Sequence, residues 1–86
     1  MNDILIPTML FWENGNTWYG SKGLLRFFIK PVKQEDAGTT LDIELWRGPL
    51  AKEFSEIMET ASFPLSEEGL TQVTAWLEAR AAQVNS

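Results

Sequence analysis

The chain of 86 residues contains no cysteine and no histidine. Without cysteine there are no disulfides, no thiolate nucleophile and no zinc–thiolate site, and the composition suits the cytosol. Without histidine the commonest general base and the commonest neutral metal ligand are both missing. A serine nucleophile would have to rely on a lysine or a carboxylate, and Ser21-Lys22 is too ordinary a pair to mark one. Basic residues are scarce as well: 7 Lys and Arg against 12 Asp and Glu leave a net charge of −5. That balance argues against a nucleic-acid binder, whose footprint is basic. No apolar run approaches the roughly eighteen residues of a membrane span, and Met1-Asn2-Asp3-Ile4 has neither the basic start nor the apolar stretch of a signal peptide.

The motifs that would supply other chemistry are also missing. Gly20-Ser21-Lys22-Gly23 reads as a loop and has the wrong spacing for a phosphate loop. No Asp-x-Asp-x-Asp-Gly calcium loop occurs. Carboxylates do pair up, as Glu35-Asp36, Glu67-Glu68, and Asp42 with Glu44, but each pair has an ordinary place in a turn, at a helix start or on a strand face. Glycosidase-like chemistry would further require a cleft that raises one carboxyl pKa, and a chain this short has little room for one. The sequence therefore supplies no catalytic residue, no metal ligand set and no cofactor site, and it points away from an enzyme.

What the chain does have is apolar and aromatic: hydrophobic residues make up 44% of it, with four Trp, five Phe and one Tyr. That suffices for one small folded domain spanning residues 1–86. The clearest element is at the end. Ser66 is a good N-cap, Glu67 and Glu68 suit the positive end of a helix dipole, and Leu65 with Leu70 has the spacing of a hydrophobic staple. The reciprocal capping box is absent because its third position is Gly69. Leu70, Val73, Leu77, Ala81 and Val84 form one stripe at three- and four-residue steps, with Trp76 on its flank and Thr71, Gln72 and Glu78 expected to face water. The spacing predicts a helix over about 66–84.

The rest of the chain alternates as strands do. Leu25, Phe27 and Ile29 share one face of residues 24–32, with Arg26, Phe28 and Lys30 on the other; Pro31 marks an edge, a bulge or the strand end. Over residues 39–46, Leu41, Ile43 and Leu45 point one way and Thr40, Asp42, Glu44 and Trp46 the other. Antiparallel pairing sets either Lys30 against Asp42 with Arg26 against Trp46, or, two residues slipped, Arg26 against Glu44. Asn14-Gly15 between aromatic runs predicts an N-terminal hairpin that places Phe11 opposite Trp18 and Trp12 opposite Thr17. Residues 47–50 read as a turn and 51–54 as a helical turn or a crossing loop. Residues 55–63 read as a last strand with Ile57, Ala61 and Phe63 inward, in competition with a helix over 50–60; Glu59 falls awkwardly inward unless it lies near the sheet end. The fold expected is α+β: an antiparallel sheet of four to five strands, an N-terminal hairpin plus a meander, with one C-terminal helix packed on one face.

An antiparallel sheet covered on one face leaves the other to solvent or a partner. Phe28 and Trp46 fall on that outer face, rimmed by Arg26, Lys30, Asp42, Glu44 and Arg47, and Trp12, Trp18 and Tyr19 crowd the hairpin. Either the hairpin folds over Phe28 and Trp46 as a small satellite core, or the aromatics form a binding patch of the Arg-and-aromatic kind found at protein interfaces. The expectation is a small non-catalytic interaction domain for a protein partner, including a second copy of itself. Two alternatives remain. One is an acidic inhibitor or nucleic-acid mimic, in which neutralising Glu56, Glu59 and Glu67 would abolish binding. The other is a small-ligand carrier, which would need a deep cavity lined by Trp12, Trp18 and Phe28.

Overall fold

The computed structural model describes residues 4, 6–35, 38–48 and 56–85. In chain order the elements are α1 (Met9–Glu13), β1 (Trp18–Lys22), β2 (Leu25–Gln34), β3 (Gly38–Arg47), β4 (Glu59–Pro64) and α2 (Glu67–Val84). The four strands form one antiparallel meander in the order β1-β2-β3-β4. This is the expected α+β architecture, with four strands, the C-terminal helix and a short helix at the N-terminal end.

The register between β2 and β3 is the first of the two alternatives, Arg26 opposite Trp46 and Lys30 opposite Asp42. It keeps the two apolar rows together. Leu25, Phe27, Ile29, Leu41, Ile43 and Leu45 are all buried on the inner face. β4 adds Ala61 opposite Ile43 and Phe63 opposite Leu41. Ile57 and Met58 precede β4 and are exposed, so Ile57 does not join the inner row. Pro31 lies past Ile29, the last residue of β2 with a β1 partner, where β2 has a strand on one side only and a missing N–H is tolerated. The turn expected at residues 49–50 and the segment 51–54 lie outside the described residues.

α2 closes the inner face. Ser66 Oγ accepts a hydrogen bond from the Gly69 N–H at 2.9 Å, and Leu70, Val73, Leu77 and Ala81 are buried as the stripe requires. Gly69 has a reason to be glycine: a Cβ there would overlap the Pro64 carbonyl oxygen, so the helix start and the end of β4 approach too closely for any other residue. At the far end the Asn85 side chain accepts from the Leu24 N–H at 2.8 Å and donates to the Lys22 carbonyl at 3.0 Å, which clamps the helix end onto the β1–β2 turn.

Three further local expectations fail. Residues 9–13 are a helix, so Asn14-Gly15 closes α1 and does not turn a hairpin. A strand would put Leu10 and Trp12 on one side, whereas the helix pairs Met9 with Trp12, three residues apart. Trp12 is buried in the inner-face core while Leu10 is 68% exposed. The Trp12 indole N–H donates to the Pro7 carbonyl at 2.8 Å, so burying the ring strands no donor. Phe11 and Trp18 still meet, edge to face with centroids 5.8 Å apart, but as helix against strand. Second, Gly20, Ser21 and Lys22 belong to β1 and the turn moves to Gly23, with φ +61°. Gly20 suits the strand because the Phe27 ring lies over its Cα, where a side chain would collide with it. Third, Glu78 is only partly open to water, with its side chain 28% exposed. Its carboxylate accepts from Lys22 Nζ at 2.5 Å and from the Ile4 backbone N–H, and so ties the N-terminal segment and β1 to α2.

Candidate functional site

Both described helices contribute to the inner-face core, and no described helix covers the opposite face. That outer face carries the candidate interaction residues in rows set by register. Tyr19, Phe28, Glu44 and Thr60 form one row across the four strands; Lys30, Asp42 and Ser62 form the next; Arg26 and Trp46 form a third. Arg47 does not belong to this set. It pairs with Leu25, follows the inner-face alternation and sits exposed at the sheet end.

The aromatic part of the face is layered. Phe28 is 9% exposed and Trp46 3%, so neither is a surface anchor. Tyr19 is 57% exposed, with its ring centroid 4.5 Å from Phe28 and 6.4 Å from Trp46. Part of the expected patch is therefore a satellite core that props up one exposed tyrosine. The other hairpin aromatics lie elsewhere, since Trp12 and Trp18 pack with the inner-face cluster. Phe28 is on the opposite side of the sheet from them, so the three do not line a common cavity. Arg26 is held by the turn: its Nη1 donates to the Gly23 carbonyl at 2.5 Å, and its guanidinium lies where a Cβ on Gly48 would be.

The polar part is a network that runs across three strands. Ser62 Oγ donates to Asp42 Oδ1 at 2.9 Å and Thr40 Oγ1 donates to the same oxygen at 3.0 Å, while Gln34 Nε2 donates to Thr40 Oγ1 at 3.1 Å. Asp42 is thus turned toward β4. Its cross-strand neighbour Lys30 is exposed and makes no ion pair among the described residues. The two border a shallow depression with Thr60 and Ser62. Gln34, Thr40 and Ser62 were not singled out from the sequence, although the alternation of Thr40 with Asp42 and of Thr60 with Ser62 marks outward polar rows.

The acids are dispersed. Glu59 is engaged by Arg80, Glu78 by Lys22, Glu67 lies in the first turn of α2 and Asp42 sits on the outer face. Among the described residues no group of three acids stands close enough to hold a metal ion. No described helix is long and apolar enough to cross a membrane. Comparison with known proteins returns no matching family profile, no matching curated protein and no matching solved structure.

Proposed function

We propose that this chain is a small non-catalytic protein-interaction domain that binds its partner through the outer face of the sheet. One observation carries the reading: Tyr19 projects from a strand with its ring held by two buried aromatics, on a face that no described helix covers. A large amphipathic side chain that is already ordered contributes contact area at low entropic cost, which is why tyrosines recur as anchors in interfaces. Lys30 and Asp42 beside it supply charge of both signs for orienting a partner. The strand edges are weaker candidates, because β4 has only six residues and ends in Pro64. The acidic-mimic reading loses support because Glu59 and Glu78 are committed to intramolecular ion pairs, while Glu67 on α2 and Asp42 on the outer sheet face stand apart. The cytosol is the setting we propose, a compartment in which a chain without cysteine forgoes nothing.

The test is a photo-crosslinking amino acid placed at position 19 and, separately, at the exposed Gln72 on α2, with each chain expressed in native host cells. The reading predicts a discrete adduct from position 19 and none from position 72. An adduct from position 72 alone, or from neither, overturns it.

A further inference from the structure

Strand β1 forms one edge of the sheet and β4 the other. The Gly48 N–H donates to the Leu24 carbonyl in line with the β2–β3 register, so at every second residue Arg26 and Phe28 also direct their backbone groups toward β3. Leu25, Phe27 and Ile29 therefore face β1, where their partners are Lys22, Gly20 and Trp18. The backbone N–H and C=O of Tyr19 and Ser21 are left pointing out of the sheet. Both residues are exposed, and among the described residues no backbone group bonds to them on that side.

The two edges are not alike. Met58 and Glu59 both meet Leu45, which makes a bulge at the start of β4, and Pro64, without an N–H, ends it. Both devices blunt an edge. β1 has no proline and pairs without a bulge, and its one charged residue, Lys22, is turned to Glu78 on α2. An unguarded edge is a template for another strand.

The β1 edge is also complementary to itself. Antiparallel pairing about a two-fold axis through Gly20, perpendicular to the sheet, sets Tyr19 of each copy opposite Ser21 of the other. Each of those two pairs exchanges both of its backbone hydrogen bonds. Centring the axis on Tyr19 or on Ser21 makes only one such pair within the strand, so the register is determined. The side chains agree with it. On the outer side the two Tyr19 rings become diagonal neighbours, within reach of each other. On the inner side the half-buried Trp18 of each copy lies opposite Lys22 of the other, whose alkyl stem can cover the indole. We infer that this chain forms a two-fold dimer through β1, in which two four-stranded sheets join as one. The blunted β4 edges end that sheet on both sides, so the pairing closes at two copies. A five-residue edge covers less than the ~800 Å² per partner of a standard interface, so the dimer forms at about 100 μM and above. It uses the strand edge and leaves the outer face as it stands, so neither reading depends on the other. An adduct of position 19 with a second copy reports this edge, and one with a different protein reports the outer face.

Sedimentation equilibrium and amide hydrogen exchange by NMR, each from about 20 μM to about 1 mM, test this together. Wild type is expected to dimerise across that range. Its Tyr19 and Ser21 amides are expected to exchange at least about threefold more slowly at the top of the range than at the bottom, with the Thr60 and Ser62 amides of β4 unchanged. Ser21→Pro removes an outward N–H that takes no part in the β1–β2 ladder, and is expected to weaken dimerisation at least about tenfold. If Ser21→Pro does not fold, the exchange comparison in the wild type decides alone. A wild type that stays monomeric, a dimer that does not protect Tyr19 and Ser21, or a folded Ser21→Pro that dimerises as well as wild type overturns the inference.

Discussion

The guanidinium of Arg80 grips the carboxylate of Glu59 through two hydrogen bonds, Nε to Oε1 at 2.8 Å and Nη2 to Oε2 at 3.1 Å. Glu59 opens β4 on the inner-face side, opposite Leu45 and at the end of the sheet pairing. The pair also joins α2 to the sheet, and the guanidinium carbon lies 5.3 Å from the centroid of the Trp76 ring. With Glu59 41% and Arg80 30% exposed, screening keeps its contribution small. Arg80→Lys, which cannot form the fork, is expected to lower stability by about 0.5 kcal/mol. Arg80→Ala, which also uncovers Trp76, should cost about 1 kcal/mol. Urea unfolding checks both, and a loss above about 3 kcal/mol would mean that the pair behaves as a buried one.

Gly69 makes an unusual prediction for a helix residue. Replacing glycine by alanine inside a helix ordinarily adds about 1 kcal/mol, but here the new methyl meets the Pro64 carbonyl. Gly69→Ala is expected to destabilise the protein by about 2 kcal/mol, the cost of forcing packed backbone apart. A gain in the same denaturation experiment would contradict the close approach.

Glu78 links stability to pH. The Lys22 ammonium, and after it the Ile4 N–H, hold its carboxyl below the ordinary value of 4.5, against the opposing effect of burial. A carboxylate with a depressed folded pKa contributes stability that is complete above the unfolded pKa and is lost as pH falls through the folded one. The wild type should therefore lose this contribution on acidification below about pH 4.5, the model-compound value. Glu78→Gln should be less stable than wild type at neutral pH and converge with it in acid. Parallel Tm–pH curves for the two proteins would show that Glu78 makes no such link.

The layering of the outer aromatics separates folding from binding. Trp46→Ala is expected to cost about 3 kcal/mol or more, since it empties a buried site. Tyr19→Ala, at a half-exposed ring, should cost less than about 1 kcal/mol. Equal losses from the two would make Tyr19 part of the core.

Where one physical signal dominates, the sequence is readable. Strict alternation with period two places all six inner-face residues of β2 and β3, and keeping those rows together leaves only a few registers. The α2 stripe and the Ser66 cap are legible for the same reason, because spacing and capping chemistry agree. Asn14-Gly15 misleads because the Met9/Trp12 pair at helical spacing buries a tryptophan that a two-period hairpin would have set beside Leu10. Glu78 looks like a solvent-facing residue on the helix wheel, and only the position of Lys22 on β1 and the incoming Ile4 backbone makes it a tie. Phe28 and Trp46 read as outward by alternation, which is correct for the backbone. Both rings pack against Tyr19 from another strand, a relationship that no local pattern encodes.

The central claim is that this chain folds with its inner face and binds with its outer one. A photo-crosslinker placed at position 19 and, separately, at position 72 in native host cells tests it most directly. The account predicts a discrete adduct from position 19, on the outer face, and none from position 72, on the exposed side of α2. An adduct from position 72 alone, or from neither, would contradict it.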